Sequence, residues 1–239
     1  MQYRKIISLL YLFLALVPCS IEAAQNHVNP LVSVDSGPVI GIIKGESLVF
    51  LGIPYASPPV GDLRWRPPQI MSSWKEPLDA TQPGAHCPQT RHQDVSSEDC
   101  LTINVYIPSL KSEEPLPVLF WIHGGGYRTG TGAYYSSRNI NNPTELVDAK
   151  LWHRQGIILV TLNYRLGALG FFAHDALDGS QGVNYGLLDI VAGLKWVNRN
   201  IDTFGGDRSR VTIMGSSAGG NAVQTLMVMP QVEGLFSAA

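Results

Sequence analysis

The chain has 239 residues, 45% hydrophobic and 15% charged, with a formal net charge of −2. That is enough apolar chain to bury a core, which excludes a disordered chain and a scaffold held only by disulfides. The near-neutral charge leaves no electrostatic footprint for nucleic acid, and the sequence holds no internal repeat, low-complexity tract or long run of like charge.

Arg4 and Lys5 precede an apolar stretch over 6–17 that only Ser8 interrupts, and Pro18, Ser20 and Ile21-Glu22-Ala23-Ala24 follow. A basic start, a short apolar run and small residues at its end read as a secretory signal peptide over 1–23, with cleavage expected after Ala23. The run is shorter than the ~20 apolar residues of a membrane-spanning helix, so no span is expected after cleavage. An uncleaved N-terminal anchor is the alternative. Cys19 would suggest a lipoprotein site, but Pro18 stands where such a site wants a small residue.

Cys87 and Cys100 then remain as an even pair in an exported chain, which reads as a disulfide. Closing the polar loop between them contributes ~3 kcal/mol in the chain-entropy account. Two buried free thiols are the alternative. Without a CxxC spacing the pair makes no zinc site.

Three short β-rich runs, 31–34, 39–43 and 48–51, are separated by glycine and read as an antiparallel meander. Residues 54–68 are proline-rich and irregular. Residues 101–107 alternate as a strand does, and 111–117 read as a solvated turn. The pattern then changes. Residues 118–122 form a buried apolar strand ending at His123-Gly124-Gly125-Gly126, 144–155 are expected to be helical, and 157–162 form a second apolar strand. Leu187, Ile190, Val191, Leu194, Val197 and Ile201 recur at helical spacing, so 185–200 is an amphipathic helix. A third strand over 211–214 meets Gly215, and a helix over 218–228 ends before Pro230. Alternating strands and helices imply a parallel sheet with right-handed crossovers and chemistry at the carboxyl ends of its strands. Residues 24–239 read as one domain without a linker.

Both glycine clusters fall at such strand ends. Gly215-Ser216-Ser217-Ala218-Gly219-Gly220 contains a G-x-S-x-G elbow, in which the spacing selects Ser217. The strand-to-helix turn is tight, so side chains at the two flanking positions would clash. The turn lifts the serine hydroxyl above the sheet and points the helix N-terminus at the site. At His123-Gly124-Gly125-Gly126, absent side chains let backbone N–H groups approach a substrate oxygen. With the N–H of Ala218 they suit an oxyanion hole. His123 is expected to orient this loop by hydrogen bonding and not to act as a base. His27, His86, His92, His153 and His174 have no supporting motif. There is no H-E-x-x-H metal spacing and no phosphate-binding G-x-x-x-x-G-K-[ST] loop.

Together these segments resemble the type-B carboxylesterase and cholinesterase family of the α/β-hydrolase fold. Phe50-Leu51-Gly52-Ile53-Pro54-Tyr55-Ala56 with Pro58-Pro59-Val60-Gly61 resembles its N-terminal signature. Ser97-Glu98-Asp99-Cys100-Leu101-Thr102-Ile103-Asn104-Val105 resembles its second. Asn163-Tyr164-Arg165-Leu166-Gly167, Gly186-Leu187-Leu188-Asp189, Phe204-Gly205-Gly206-Asp207 and the elbow follow in family order. The resemblance implies that Ser217 is the nucleophile, that Gly125, Gly126 and Ala218 donate the oxyanion-hole N–H groups, and that Cys87–Cys100 is the family's first disulfide. It further implies structural ion pairs between Arg64 and Glu98 and between Arg165 and Asp189. The implied fold is the N-terminal part of an α/β-hydrolase, an antiparallel meander leading into a mostly parallel sheet with crossover helices. The resemblance implies that the C-terminal half of that fold is not expected within 1–239.

Two departures favour a general carboxylesterase over a choline esterase. Ser216 stands where the family often has glutamate, and the disulfide loop lacks the aromatic residue a cationic substrate wants. A third departure is larger, because the family's catalytic acid and histidine lie well downstream of the serine and are not expected within 1–239. The leading expectation is therefore a secreted serine carboxylesterase acting on a small-molecule carboxylic ester, with no cofactor and no metal. Its rivals are a truncated, inactive remnant and a non-catalytic cholinesterase-like binding protein. The ester and the oligomeric state are left open.

Overall fold

The computed structural model describes residues 29–44, 47–90, 93–108, 112–133, 155–175, 177 and 184–239. The expected signal peptide, Cys19, His27, His92, His153 and the helix expected over 144–155, save Gln155, lie outside them.

Six strands form the main sheet in the order β3-β4-β6-β8-β7-β9. They are β3 (Ile42–Lys44), β4 (Ser47–Pro54), β6 (Thr102–Pro108), β7 (Leu116–Ile122), β8 (Ile158–Leu162) and β9 (Gly206–Gly215). Pairing is antiparallel from β3 through β4 and β6 to β8, then parallel from β8 to β7 and β7 to β9. Among the described residues there are three α-helices: α1 (Gly167–Phe171) and α2 (Tyr185–Asn200) lie between β8 and β9, and α3 (Ala218–Leu226) follows β9. The strands expected over 118–122, 157–162 and 211–214 and the helices expected over 185–200 and 218–228 thus form at or close to their expected bounds, and β9 extends the expected 211–214 in both directions. The short α1 was not expected.

The alternation along β7 explains the layering. Val118, Phe120 and Ile122 belong to the main core with Ile190, Leu194 and Val197 of α2, while Leu119 and Trp121 pack on the other face with Leu159 and Tyr106. Fully burying side chains of this size stabilises by ~1.5–3 kcal/mol each. The last turn of α2 carries Arg199, and the chain leaves through a 3-10 turn (Ile201–Phe204) capped by Gly205 in the left-handed region. Among the described residues no helix is long and apolar enough to cross a membrane.

One expectation is corrected. Residues 39–43 are not one strand. The chain changes sheets at Gly41, leaving β2 (Gly37–Ile40), which pairs with β1 (Leu31–Val34) and β5 (Leu78–Asp79), for β3, which pairs with β4. The meander is therefore divided between a three-stranded sheet and the main one. At the switch, a β-carbon on Gly41 would come within 2.7 Å of the Phe50 ring and the Val49 carbonyl oxygen. The strand expected over 101–107 forms as β6, and it is buried on both faces along its length. It has a strand on either side and a layer of side chains above and below, so no face meets water.

Candidate active site

β9 and β7 run side by side, with Met214 opposite Trp121 and Gly215 opposite Ile122. That register brings Ser217 and His123, each just beyond its strand, to the same end of the sheet. Ser217 sits at φ 52° and ψ −118°, an unfavourable backbone conformation for a residue with a side chain. Such a residue costs about 1–3 kcal/mol and persists only where its surroundings over-determine it. Here they do. A β-carbon on Gly219 would overlap the Ile122 carbonyl oxygen, and one on Gly215 would overlap the Gly219 backbone. The amide of Gly219 donates to Ser216 O at 2.8 Å and that of Asn221 to Ser217 O at 3.0 Å, starting α3. Ser217 is exposed, and none of the described residues hydrogen-bonds its hydroxyl.

The glycine loop lies against this elbow. A β-carbon on Gly124 would stand 2.6 Å from Ser216 O and 3.2 Å from the Ser217 β-carbon. Each carbonyl at the start of the loop is occupied. The Tyr164 hydroxyl donates to His123 O at 2.8 Å, and His123 Nδ1 donates to Gly124 O at 2.8 Å. Gly125 O accepts from the amides of Arg128 (3.1 Å) and Thr129 (3.0 Å). In a trans peptide the N–H points opposite to the C=O, so each of these bonds turns the N–H of the next residue (Gly124, Gly125 and Gly126 in turn) away from the group that holds its carbonyl. Ala218 is the first residue of α3, and its N–H has no acceptor within its own helix.

His123 is buried, and its ring stacks on Tyr164 with centroids 4.3 Å apart. A carbonyl only accepts, so the bond to Gly124 O places the ring proton on Nδ1 and leaves Nε2 bare. Burial lowers its pKa to about 4 against the opposing pull of the Gly124 bond, with His86 adding a little, so the ring is neutral near pH 7. The geometry is that of a loop-orienting group, as expected. Tyr127, at φ 58°, packs on Phe171 of α1 at 4.7 Å and accepts the Gly167 amide at 2.7 Å.

A strained serine between β9 and α3, in contact with a glycine loop whose first carbonyls are each held by a hydrogen bond, is accompanied by a match to the carboxylesterase family profile over residues 28–239. The chain belongs to the carboxylesterase family. It is 42% identical to a fumonisin B1 esterase of Sphingopyxis macrogoltabida over 91% of this chain and 40% of the relative. It is 36% identical to a juvenile hormone esterase of Tribolium castaneum over 100% of this chain and 40% of that protein. Among solved structures, a thermophilic pNB esterase superposes with a TM-score of 0.79 at 40% identity, over 88% of this chain and 44% of its own. A Geobacillus stearothermophilus carboxylesterase gives 0.76 at 35%, over 87% and 42%. The fold is therefore the N-terminal part of an α/β-hydrolase, and the chain spans about two fifths of the length of the curated relatives it matches.

In this carboxylesterase chain the remaining expected pairs also form. Cys87 and Cys100 are disulfide-bonded. Arg64 binds Glu98 through two bonds, of 2.6 and 2.7 Å, at a partly exposed site. Arg165 and Asp189 form a buried pair with guanidinium bonds of 2.7 and 2.8 Å and a third bond from the Arg165 amide. Burial pushes the Asp189 carboxyl up, against these bonds, which pull it back. The pair ties the residue after Tyr164 to α2.

Reading the sequence missed a set of polar residues behind the loop. Asn163 Oδ1 accepts from Thr131 Oγ1 and the Gly132 amide, and its Nδ2 donates to Ala85 O. Asn104 and Thr161 both bond Gly132 O. The only signal available was a polar residue inside an otherwise apolar strand, at Asn104 and at Thr161.

Proposed function

We propose that this chain carries the nucleophile and oxyanion hole of a serine carboxylesterase, which hydrolyses carboxylic esters through an acyl-enzyme on Ser217 as part of a complete domain. The supporting observation is the contact between the strained elbow at Ser217 and the glycine loop. In this reading Ser217 Oγ attacks the ester carbonyl carbon, and the carbonyl oxygen takes the charge. The N–H groups of Gly125, Gly126 and Ala218 donate to that oxygen, each worth about 3 kcal/mol of transition-state stabilisation. Collapse expels the alcohol, and water then releases the acid and restores the serine.

A serine hydroxyl is a poor nucleophile without a base beside it. His123 does not fill that role, because its Nδ1 proton is committed to Gly124 O and its ring is buried. The base that would activate Ser217, and the acid that would orient that base, are not identified among the described residues. The relatives' names point to chemically diverse esters, so the reading stops at carboxylic esters as a class. The basic and apolar leader over 1–23, together with the disulfide, supports export.

The test is ester hydrolysis by the full-length native protein, after intact mass has established its length. Ser217→Ala is expected to lower kcat on p-nitrophenyl acetate by about 10⁶-fold. Unchanged hydrolysis in that variant rejects Ser217 as nucleophile. No turnover and no acyl burst by the wild-type protein would favour the inactive remnant.

A further inference from the structure

Gln89 lies within the disulfide loop and reaches Gly130, 41 positions away. Its Nε2 donates to Gly130 O at 2.8 Å, and its Oε1 accepts from the Gly130 amide at 2.9 Å. The opposite amide orientation would set donor against donor and acceptor against acceptor, so the network itself fixes the assignment. Nε2 also donates to Cys87 O at 3.2 Å. One side-chain amide thus occupies both backbone groups of Gly130 while bonded to a disulfide cysteine.

Gly130 closes the glycine loop. A β-carbon there would overlap His123 Nδ1 and stand 2.5 Å from Gly124 O. Those are the two atoms of the bond that orients the Gly124–Gly125 peptide, so a shift of Gly130 disturbs that bond directly. The base of the disulfide loop is held on its own account. The His86 amide donates to Val95 O at 3.0 Å, the Ser97 amide donates to His86 O at 2.9 Å, and Ala85 O accepts from Asn163 at 2.8 Å.

We propose that Gln89 is a positioning residue for the oxyanion hole: its clamp on Gly130 holds the His123–Gly124 bond, and through it the direction of the Gly125 N–H, while the Cys87–Cys100 disulfide holds Gln89. This rests on reading Gly125 as an oxyanion donor. The disulfide then contributes to turnover as well as to stability, through a continuous path from Cys87 to Gln89, Gly130, His123 and Gly125.

The test uses the full-length protein with Gln89→Met, which keeps the side-chain bulk and removes both Gly130 bonds, and the paired variant Cys87→Ala/Cys100→Ala. With p-nitrophenyl acetate, Gln89→Met is expected to lower kcat about tenfold with KM within about twofold. Affinity for a trifluoromethyl ketone, which traps Ser217 as an oxyanion, is expected to fall by a similar factor. If the paired cysteine variant folds, adding Gln89→Met to it lowers kcat by a smaller factor than in the wild-type chain, because the disulfide acts through the Gln89 clamp; an equal factor overturns the disulfide's part in the path. Unchanged kcat and ketone affinity in Gln89→Met, or a rise in KM alone, overturns the proposal. Should the wild-type protein hydrolyse no ester, the proposed function fails separately. Amide hydrogen exchange over 125–131 then decides this inference: faster exchange in Gln89→Met upholds it, and unchanged exchange overturns it.

Discussion

At the elbow, Ser217 is held by backbone packed on backbone, with Gly219 against the Ile122 carbonyl and Gly215 against Gly219. In the loop beginning at His123, side chains hold most of the backbone groups, namely the Tyr164 hydroxyl, the His123 ring and the Gln89 amide, and backbone amides hold Gly125 O. The two regions touch through Gly124 and Ser216. Steric holding is rigid and depends on a few atoms that a glycine leaves out. Hydrogen-bonded holding depends on partners drawn from several parts of the chain, and on their protonation. The elbow should therefore fail abruptly, and the loop by degrees.

Gly219→Ala is the most severe way to break that contrast. Its methyl group has nowhere to go, and a loss of about 3 kcal/mol or more is expected in chemical denaturation. A variant as stable as wild type would show that the elbow is not held by contact.

Acid is the matching probe for the loop. The folded-state pKa of His123, about 4, lies below its ordinary 6.5. Between those values the unfolded chain binds the proton and the folded chain does not. The contribution is complete above pH 6.5 and is lost as pH falls towards 4, by about 3 kcal/mol. Denaturation midpoints of wild type and His123→Gln at pH 7 and pH 4.5 check this, and the variant should show the shallower fall. Equal slopes would remove His123 as the source.

Ser217→Gly sharpens the contrast from the other side. Glycine accepts the backbone conformation at 217 without the β-carbon penalty, so the melting temperature should rise, by about 1 kcal/mol in stability terms, while hydrolysis is lost. Ser217→Ala keeps the β-carbon and should not be stabilised in this way. The smallest effect is expected for Tyr164→Phe. It leaves His123 O without its donor and should cost about 1 kcal/mol by denaturation. A Tyr164→Phe loss as large as that of Gly219→Ala would mean that the loop, too, fails abruptly.

Much of this was legible in the residues themselves. The bounds of α2 follow from apolar residues at helical spacing between Leu187 and Ile201, and β7 and β8 from short apolar runs ending at turn residues. Other parts were hidden for definite reasons. Gly41 lies inside a run that reads as one strand, because the change of sheet is decided by the Phe50 ring and Val49 backbone packed against it. The alternation over 101–107 marked β6 as a strand but did not show that both of its faces are buried, which neighbours on both edges and layers on both faces bring about. Gln89 sits in a polar loop with nothing beside it in sequence to mark it.

By itself, the sequence determined the strand-turn-helix at Ser217 and the glycines of the facing loop. Those requirements are steric and local, set by which residues lack a β-carbon within a few positions of the turn. The even pair of Cys87 and Cys100 also pointed to the disulfide that forms. Only the tertiary structure decided which groups hold the loop carbonyls and so aim the loop N–H groups. Tyr164 and Gln89 each act across 41 positions. Bonds over such separations depend on how the strands stack side by side, which no local pattern records.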